Sequence, residues 1–337
     1  MTASPPLVLL AMSDSTLAQV ITPDLRARLD AVGKVLDVRP AASFLDEPDV
    51  AAVLGDVEVL VTGWGCPPIT RDVLDAAPKL RAILHAAGSV KHIVDPSAFE
   101  RGIQVSSAVA ANAVPVAEYA VAAIIMGGKR AFRLAAEYRT NRKKPDSHGY
   151  APIGNHRSTV GLLGASRIGR LVAERLKAFD FDVLISDPYL SADDAAAMGA
   201  RLCDNDTLFA SSDIVSIHAP LLPETTGLVD ARLLGLMPDR SVLINTARGK
   251  VIDAAALEAE CRSGRIDAIL DVTDPEPLPA DSPLLDLPNV FVTPHLAGAL
   301  GNEVNRLGDV AVSELERLVA GEPLQHAIAA HELERIA

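Results

Sequence analysis

The sequence predicts an α/β protein made of two parallel-sheet units. Three observations carry this. Short apolar runs alternate with amphipathic helical stretches along almost the whole chain. One long Ala-rich helical stretch, 114–139, separates two such series. A glycine-rich turn opens the second series directly after an apolar run. Strands alternating with helices form βαβ units, and their strands must then run parallel. The chain has 337 residues, 49% hydrophobic and 22% charged. At roughly 150 residues per domain that length favours two domains, and the composition gives each a core of useful size.

In the first series, runs at 7–12, 35–38, 57–62, 82–85 and 103–106 read as strands, with amphipathic stretches at 24–32 and 71–77 between them. The long helical stretch ends in a basic segment, 139–150, where Pro145 and Gly149 act as breakers. In the second series, strands are expected at 159–163, 182–186, 213–218, 241–245, 268–272 and 290–292. Helices are expected near 168–179, 231–236 and 254–263, and a last helix at 303–319. No repeat with a period of 20–50 residues is present.

A net charge of −13 argues against nucleic-acid binding, which wants clustered Lys and Arg. The basic residues Arg139, Arg142, Lys143 and Lys144 read as a solvated loop. Cys66, Cys203 and Cys261 are few, odd in number and far apart, with no accompanying His cluster, so free thiols in a reducing cytoplasm and no metal site are expected. The N-terminus lacks the basic region of a signal peptide. The longest apolar candidate, 114–127, contains Glu118 and falls short of the ~18–20 residues a membrane span needs, so no membrane partner is expected.

The first sharp motif is Thr159-Val-Gly-Leu-Leu-Gly164-Ala-Ser166-Arg-Ile-Gly169. Gly164 permits a tight turn out of the strand, and Gly169 permits close helix–strand packing. A helix beginning at Arg167 and Ile168 presents free N–H groups and a positive dipole end, which suit a pyrophosphate. Ser166 stands where such a fingerprint usually has its middle glycine. Asp187, at the end of the next strand, is placed to bond the ribose hydroxyls of an adenosine. It would repel a 2′-phosphate, so NAD is the expected cofactor.

Three further segments each put a polar residue just past a strand: Leu243-Ile-Asn-Thr-Ala-Arg248, Asp271-Val-Thr-Asp-Pro-Glu276 and Val292-Thr-Pro-His295. In a parallel sheet those ends share one edge. Reducing a 2-oxo acid needs a cation for the carboxylate, an acid for the developing alkoxide and a group to hold that acid. Arg248 can grip a carboxylate bidentately. His295 can give the proton and take it back. Glu276 beside it would orient the ring and favour its charged form.

Taken together, these motifs resemble the D-2-hydroxyacid dehydrogenase family, which includes hydroxypyruvate/glyoxylate reductases and phosphoglycerate dehydrogenases. The resemblance rests on the glycine-rich turn, Asp187-Pro188-Tyr189, Ile217-His218-Ala219-Pro220 with Glu224-Thr225-Thr226-Gly227, Asn245-Thr246-Ala247-Arg248-Gly249, Glu276-Pro277 and Thr293-Pro294-His295 with Ala297-Gly298. It implies two Rossmann-like doubly wound domains, the cofactor domain inserted into a flavodoxin-like substrate domain. The expected boundaries are 1–108 with 300–337 for the substrate domain and 109–299 for the NAD domain. It also implies a homodimer built through the helix near 113–139.

By the same resemblance, Arg248, Glu276 and His295 are the catalytic trio. Gly164, Ser166, Arg167, Ile168, Gly169, Asp187, His218, Pro220, Thr225, Thr246, Ala247, Asp271, His295 and Gly298 are expected around the cofactor, Asp271 at the nicotinamide carboxamide. Gly88, Ser89 and Val90 resemble the loop that binds the substrate carboxylate through backbone N–H groups, aided by Arg248. Asn112 resembles the segment entering the dimer helix, and Trp64 stands ready to line the substrate pocket. Val90 replaces a frequent glycine, and Ala86 stands where the phosphoglycerate branch often has arginine. The alternatives are an NAD-sensing or partner-binding protein on a dehydrogenase scaffold, and a phosphite-type dehydrogenase. The formate branch typically has Gln where Glu276 stands, which disfavours formate.

Overall fold

The computed structural model describes residues 4–144 and 154–333, so the expected breakers Pro145 and Gly149 lie outside the described residues. The chain forms two compact units: Met1–Asn112 with Ala299–Ala337, and Ala113–Gly298.

Among the described residues, the first unit has a five-stranded parallel sheet. Its strands are β1 (Leu7–Ala11), β2 (Lys34–Val35), β3 (Val59–Thr62), β4 (Ala82–His85) and β5 (Gln104–Ser107), in the order β2-β1-β3-β4-β5. These strands read as continuous apolar runs because both faces are covered. Alternate side chains go to opposite faces. Leu10, Val61 and Leu84 join one core with Leu25, Leu29, Leu307 and Leu315. Leu9, Leu60 and Ile83 join the other with Phe44, Leu54 and Leu74. The helix Val304–Ala320 thus returns from the end of the chain to close the first face. Short helices at Asp14–Val20 and Pro48–Leu54 were not foreseen.

The second unit has seven strands among the described residues: β6 (Thr159–Leu163), β7 (Asp182–Ser186), β8 (Arg201–Leu202), β9 (Ile214–Ile217), β10 (Val242–Asn245), β11 (Asp267–Leu270) and β12 (Val290–Val292). All run parallel in the order β12-β11-β10-β9-β6-β7-β8. The order reverses between β6 and β9, and ligands of such sheets bind outside the strand ends at that point.

The expected single helix at 114–139 is corrected to two, Val109–Gly128 and Ala131–Asn141. The break has an electrostatic reason. Arg130 takes a left-handed conformation (φ 48°) and folds its guanidinium onto buried Asp267 with bonds of 2.7 and 2.8 Å. Arg133 adds a third bond to that carboxylate, 3.1 Å long. A buried carboxylate needs such partners, and a straight helix would not deliver them. The helix Val109–Gly128 is long and apolar enough to cross a membrane by length and composition, which corrects the shorter run expected. Its Ala117, Ala120, Val121, Ala123 and Ile124 are buried in the core of the second unit.

Candidate active site

The glycine-rich turn is built by contact. Gly164 leaves β6 with φ +100°, and a Cβ there would lie 2.6 Å from the Ala219 nitrogen. A Cβ on Gly169 would collide with the Gly164 carbonyl oxygen. Turn and helix therefore meet at a separation that only hydrogen side chains allow. Ser166 has a job of its own: it is the N-cap of the helix Arg167–Leu176, its hydroxyl accepting the Gly169 N–H at 3.4 Å. Serine is a preferred N-cap, which gives its presence a local reason.

Asp187 follows β7 and braces the same turn. Its Oδ2 accepts the Ala165 N–H at 2.7 Å and its Oδ1 the Tyr189 N–H at 2.8 Å. Each carboxylate oxygen keeps a lone pair for a further donor. Behind the turn sits His218, which is buried with both ring nitrogens unpartnered in the structure. Burial pushes its pKa down to about 4, so the ring is neutral. It backs the turn as a packing group. Thr225 ties the next loop together: its hydroxyl bonds the Pro220 carbonyl at 2.6 Å and accepts the Leu222 N–H at 2.8 Å.

Arg248, Glu276 and His295 follow the C-terminal ends of β10, β11 and β12, three adjacent strands of one sheet. His295 Nδ1 and Glu276 Oε1 are 2.6 Å apart, a short bond between two half-exposed groups. Glu276 is flanked by cis peptide bonds at Asp274–Pro275 and Glu276–Pro277. Asn245 shapes the loop that carries Arg248, accepting the Ala247 N–H at 3.0 Å and donating to the Arg248 carbonyl at 2.9 Å. Burial lowers the Arg248 pKa, and the nearby Glu276 carboxylate opposes that. Thr246 is buried, its hydroxyl without a partner in the structure.

Asp271 is nearly inaccessible, and its oxygens already serve the His295 loop. Oδ1 accepts the Thr293 hydroxyl at 2.6 Å and the Leu296 N–H at 2.8 Å, and Oδ2 accepts the Ala297 N–H at 2.9 Å. Gly298 ends that loop, half-buried.

In the first unit, the loop 87–90 follows β4. The Ser107 hydroxyl donates to the carbonyls of Ala87 and Gly88, and Ser89 Oγ accepts the Lys91 N–H at 3.3 Å. Asn112 lies beside Gly88 and holds the Ala299 N–H at 3.0 Å. Val90 is fully buried in the core with Leu9 and Ile83. Trp64 is 43% exposed on the loop after β3. Ser107 and Tyr119 (which bonds Thr293 at 2.8 Å) escaped the sequence reading, because their partners are remote in the chain.

Comparison with known proteins completes the picture. Residues 121–297 match the D-isomer specific 2-hydroxyacid dehydrogenase family, NAD binding domain. The chain is 36% identical over 258 residues to a glyoxylate reductase of Thermofilum pendens, covering 75% of this chain and 76% of the relative. It is 34% identical over 264 residues to a D-3-phosphoglycerate dehydrogenase of Archaeoglobus fulgidus, covering 77% of this chain and 49% of the relative. The chain thus spans about half the length of the phosphoglycerate dehydrogenases it matches. Among solved structures, an NAD-dependent formate dehydrogenase of Staphylococcus aureus, in complex with NAD, superposes with a TM-score of 0.69 at 29% identity, covering 95% of this chain and 96% of that one. The chain belongs to the D-isomer specific 2-hydroxyacid dehydrogenase family and carries its NAD-binding domain.

Proposed function

We propose that the protein is an NAD-dependent oxidoreductase that interconverts a small 2-oxo acid and its D-2-hydroxy acid. The observation that carries this is the 2.6 Å His295–Glu276 pair beyond one sheet edge, with Arg248 past the neighbouring strand. The residues present fit a dinucleotide. Gly164 and Gly169 close a tight turn in which a Cβ would clash with Ala219 and with the Gly164 carbonyl, the adjoining helix N-terminus suits the pyrophosphate, and Asp187 suits the ribose hydroxyls of NAD. Thr246, Ala247, Pro220 and Gly298 would border the rest, and Asp271 the carboxamide through the acceptor site left on its Oδ2.

When bound, NAD supplies or accepts the hydride at the substrate's α-carbon. Arg248 neutralises the substrate carboxylate. Glu276 holds Nδ1–H of His295, which leaves Nε2 as the ring's other proton site. In reduction, His295 gives its proton to the carbonyl oxygen as negative charge develops there, and in oxidation it takes the proton back. Ala86, where the phosphoglycerate branch often has arginine, favours a substrate without a phosphate. The same reading includes a homodimer formed through the helix Val109–Gly128, a cytoplasmic location, and no nucleic-acid or membrane partner. Exposed Met126 and Tyr138 near that helix support the dimer.

The test is NADH oxidation, followed by absorbance, against glyoxylate, hydroxypyruvate, pyruvate, phenylpyruvate, oxaloacetate and 3-phosphohydroxypyruvate. Turnover of one or more supports the reaction class, and the ranking reads pocket size and charge. NADH binding with no turnover of any would overturn it in favour of a sensor.

A further inference from the structure

The helix Val109–Gly128 carries a phenol to the His295 loop. The Tyr119 hydroxyl lies 2.8 Å from Thr293 Oγ1, which lies 2.6 Å from Asp271 Oδ1. A hydroxyl has a single proton to donate. Asp271 receives donors on both oxygens, from Thr293, Leu296 and Ala297, and so acts as an acceptor throughout. Thr293 therefore directs its proton at Asp271, and Tyr119 must donate to Thr293. Burial raises the phenol's pKa, the hydrogen bond to Thr293 opposes it, and the Asp271 charge adds a further rise, so the phenol keeps its proton.

Each end of this chain of bonds meets the loop around His295. Thr293 precedes it, and Leu296 and Ala297 follow it. The His295 N–H itself bonds the Asp271 carbonyl at 3.0 Å. His295 has φ 53°, a left-handed backbone that persists only where its surroundings over-determine it.

We propose that Tyr119 is a positioning residue for His295: through Thr293 and Asp271 it fixes the loop that sets the imidazole against Glu276. The proposal rests on the function proposed above. It gives the helix leading into the NAD-binding unit a direct hold on the acid–base group. Removing the phenol oxygen deletes one hydrogen bond and leaves packing intact, so the loop should loosen while the fold persists.

The experiment compares wild type, Tyr119→Phe, Thr293→Val, Thr293→Ser and the Tyr119→Phe/Thr293→Val double variant. In each, kcat, KM, NADH affinity by fluorescence titration and Tm are measured. Hydrogen exchange of the Leu296 and Ala297 amides is followed in cofactor-free protein. Tyr119→Phe should lower kcat roughly three- to tenfold, the range for one net hydrogen bond. KM and NADH affinity should stay within twofold. The two amides should exchange faster while the helix Arg167–Leu176 does not. The double variant should be no worse than Thr293→Val alone, and Thr293→Ser should be close to wild type. Unchanged kcat and unchanged exchange in Tyr119→Phe would overturn the proposal. So would a joint fall of kcat, NADH affinity and Tm, which marks a general structural prop. If wild type turns over no oxo acid, the proposed function fails by itself, and the exchange data still decide whether Tyr119 fixes the loop.

Discussion

Each unit holds a histidine with almost no access to water, His85 in the first and His218 in the second. Both have pKa values pushed from 6.5 down to about 4 by burial. Between these values the unfolded chain binds a proton that the folded chain refuses, so stability rises with pH across that window. The contribution is complete above pH 6.5 and is lost as pH drops toward 4. Each pH unit is worth ~1.4 kcal/mol, so one histidine accounts for ~3 kcal/mol over the full window and ~2 kcal/mol at pH 5. His218 is the cleaner probe, because neither ring nitrogen has a partner in the structure, whereas His85 Nδ1 bonds Thr62 Oγ1 at 2.8 Å. The perturbation is His218→Leu, which removes the titrating ring and keeps an apolar side chain behind the turn. Urea unfolding followed by far-UV circular dichroism at pH 7.5 and pH 5.0 gives the comparison. Wild type should lose ~2 kcal/mol more than the variant on acidification. Equal losses would refute the reasoning and mean that His218 takes up its proton without unfolding.

Three further outcomes are expected. His295→Ala should lower kcat by about 10²–10⁴-fold with NADH affinity unchanged in a fluorescence titration; unaltered turnover would remove His295 from the chemistry. Arg248→Lys should raise KM for oxo acids and cut kcat/KM by roughly 30-fold, about 2 kcal/mol for a lost bidentate charge-assisted contact, and normal kinetics would place the carboxylate elsewhere. Asp187→Ala should narrow the preference for NADH over NADPH. It should also cost ~1 kcal/mol or more in urea unfolding, since the Ala165 and Tyr189 N–H groups lose their acceptor. Unchanged cofactor discrimination would show that Asp187 only braces the turn.

The central strands were legible because burial on both faces leaves β-branched runs with few polar interruptions, as in Val-Leu-Val-Thr at β3 and Val-Leu-Ile-Asn at β10. Of the edge strands, β5 and β12 stand within a residue of where the sequence places them, β2 is shifted and shortened from 35–38 to Lys34–Val35, and only the two-residue β8 gave no signal. The helices Ala192–Ala197 and Asn205–Ser211 were missed, since six or seven residues show barely two turns of periodicity, although Ser191 and Asp204 cap them in the usual way. The break at Arg130 was invisible because its cause, Asp267, is remote in the chain. The Glu276–His295 pair was within reach because both residues follow the C-terminal ends of adjacent parallel strands. The burial of Val90 could not be read, because its neighbours Gly88 and Ser89 mark a loop while the chain returns it to the core. Nothing local marks Tyr119 as the partner of Thr293.

The split of the first unit sets an order of events during synthesis. Residues 113–298 are contiguous, so the seven described strands of the second unit are all synthesised before the helix Val304–Ala320. Leu307, Val312 and Leu315 on that helix belong to the same core as Leu10, Val61 and Leu84. The nascent chain therefore holds an N-terminal sheet with one bare face while the inserted unit matures. The earliest strands wait longest for their cover, and long-range closures of this kind are slow and prone to aggregation. Until that helix is made, the face carrying Leu10, Val61 and Leu84 has no cover of its own.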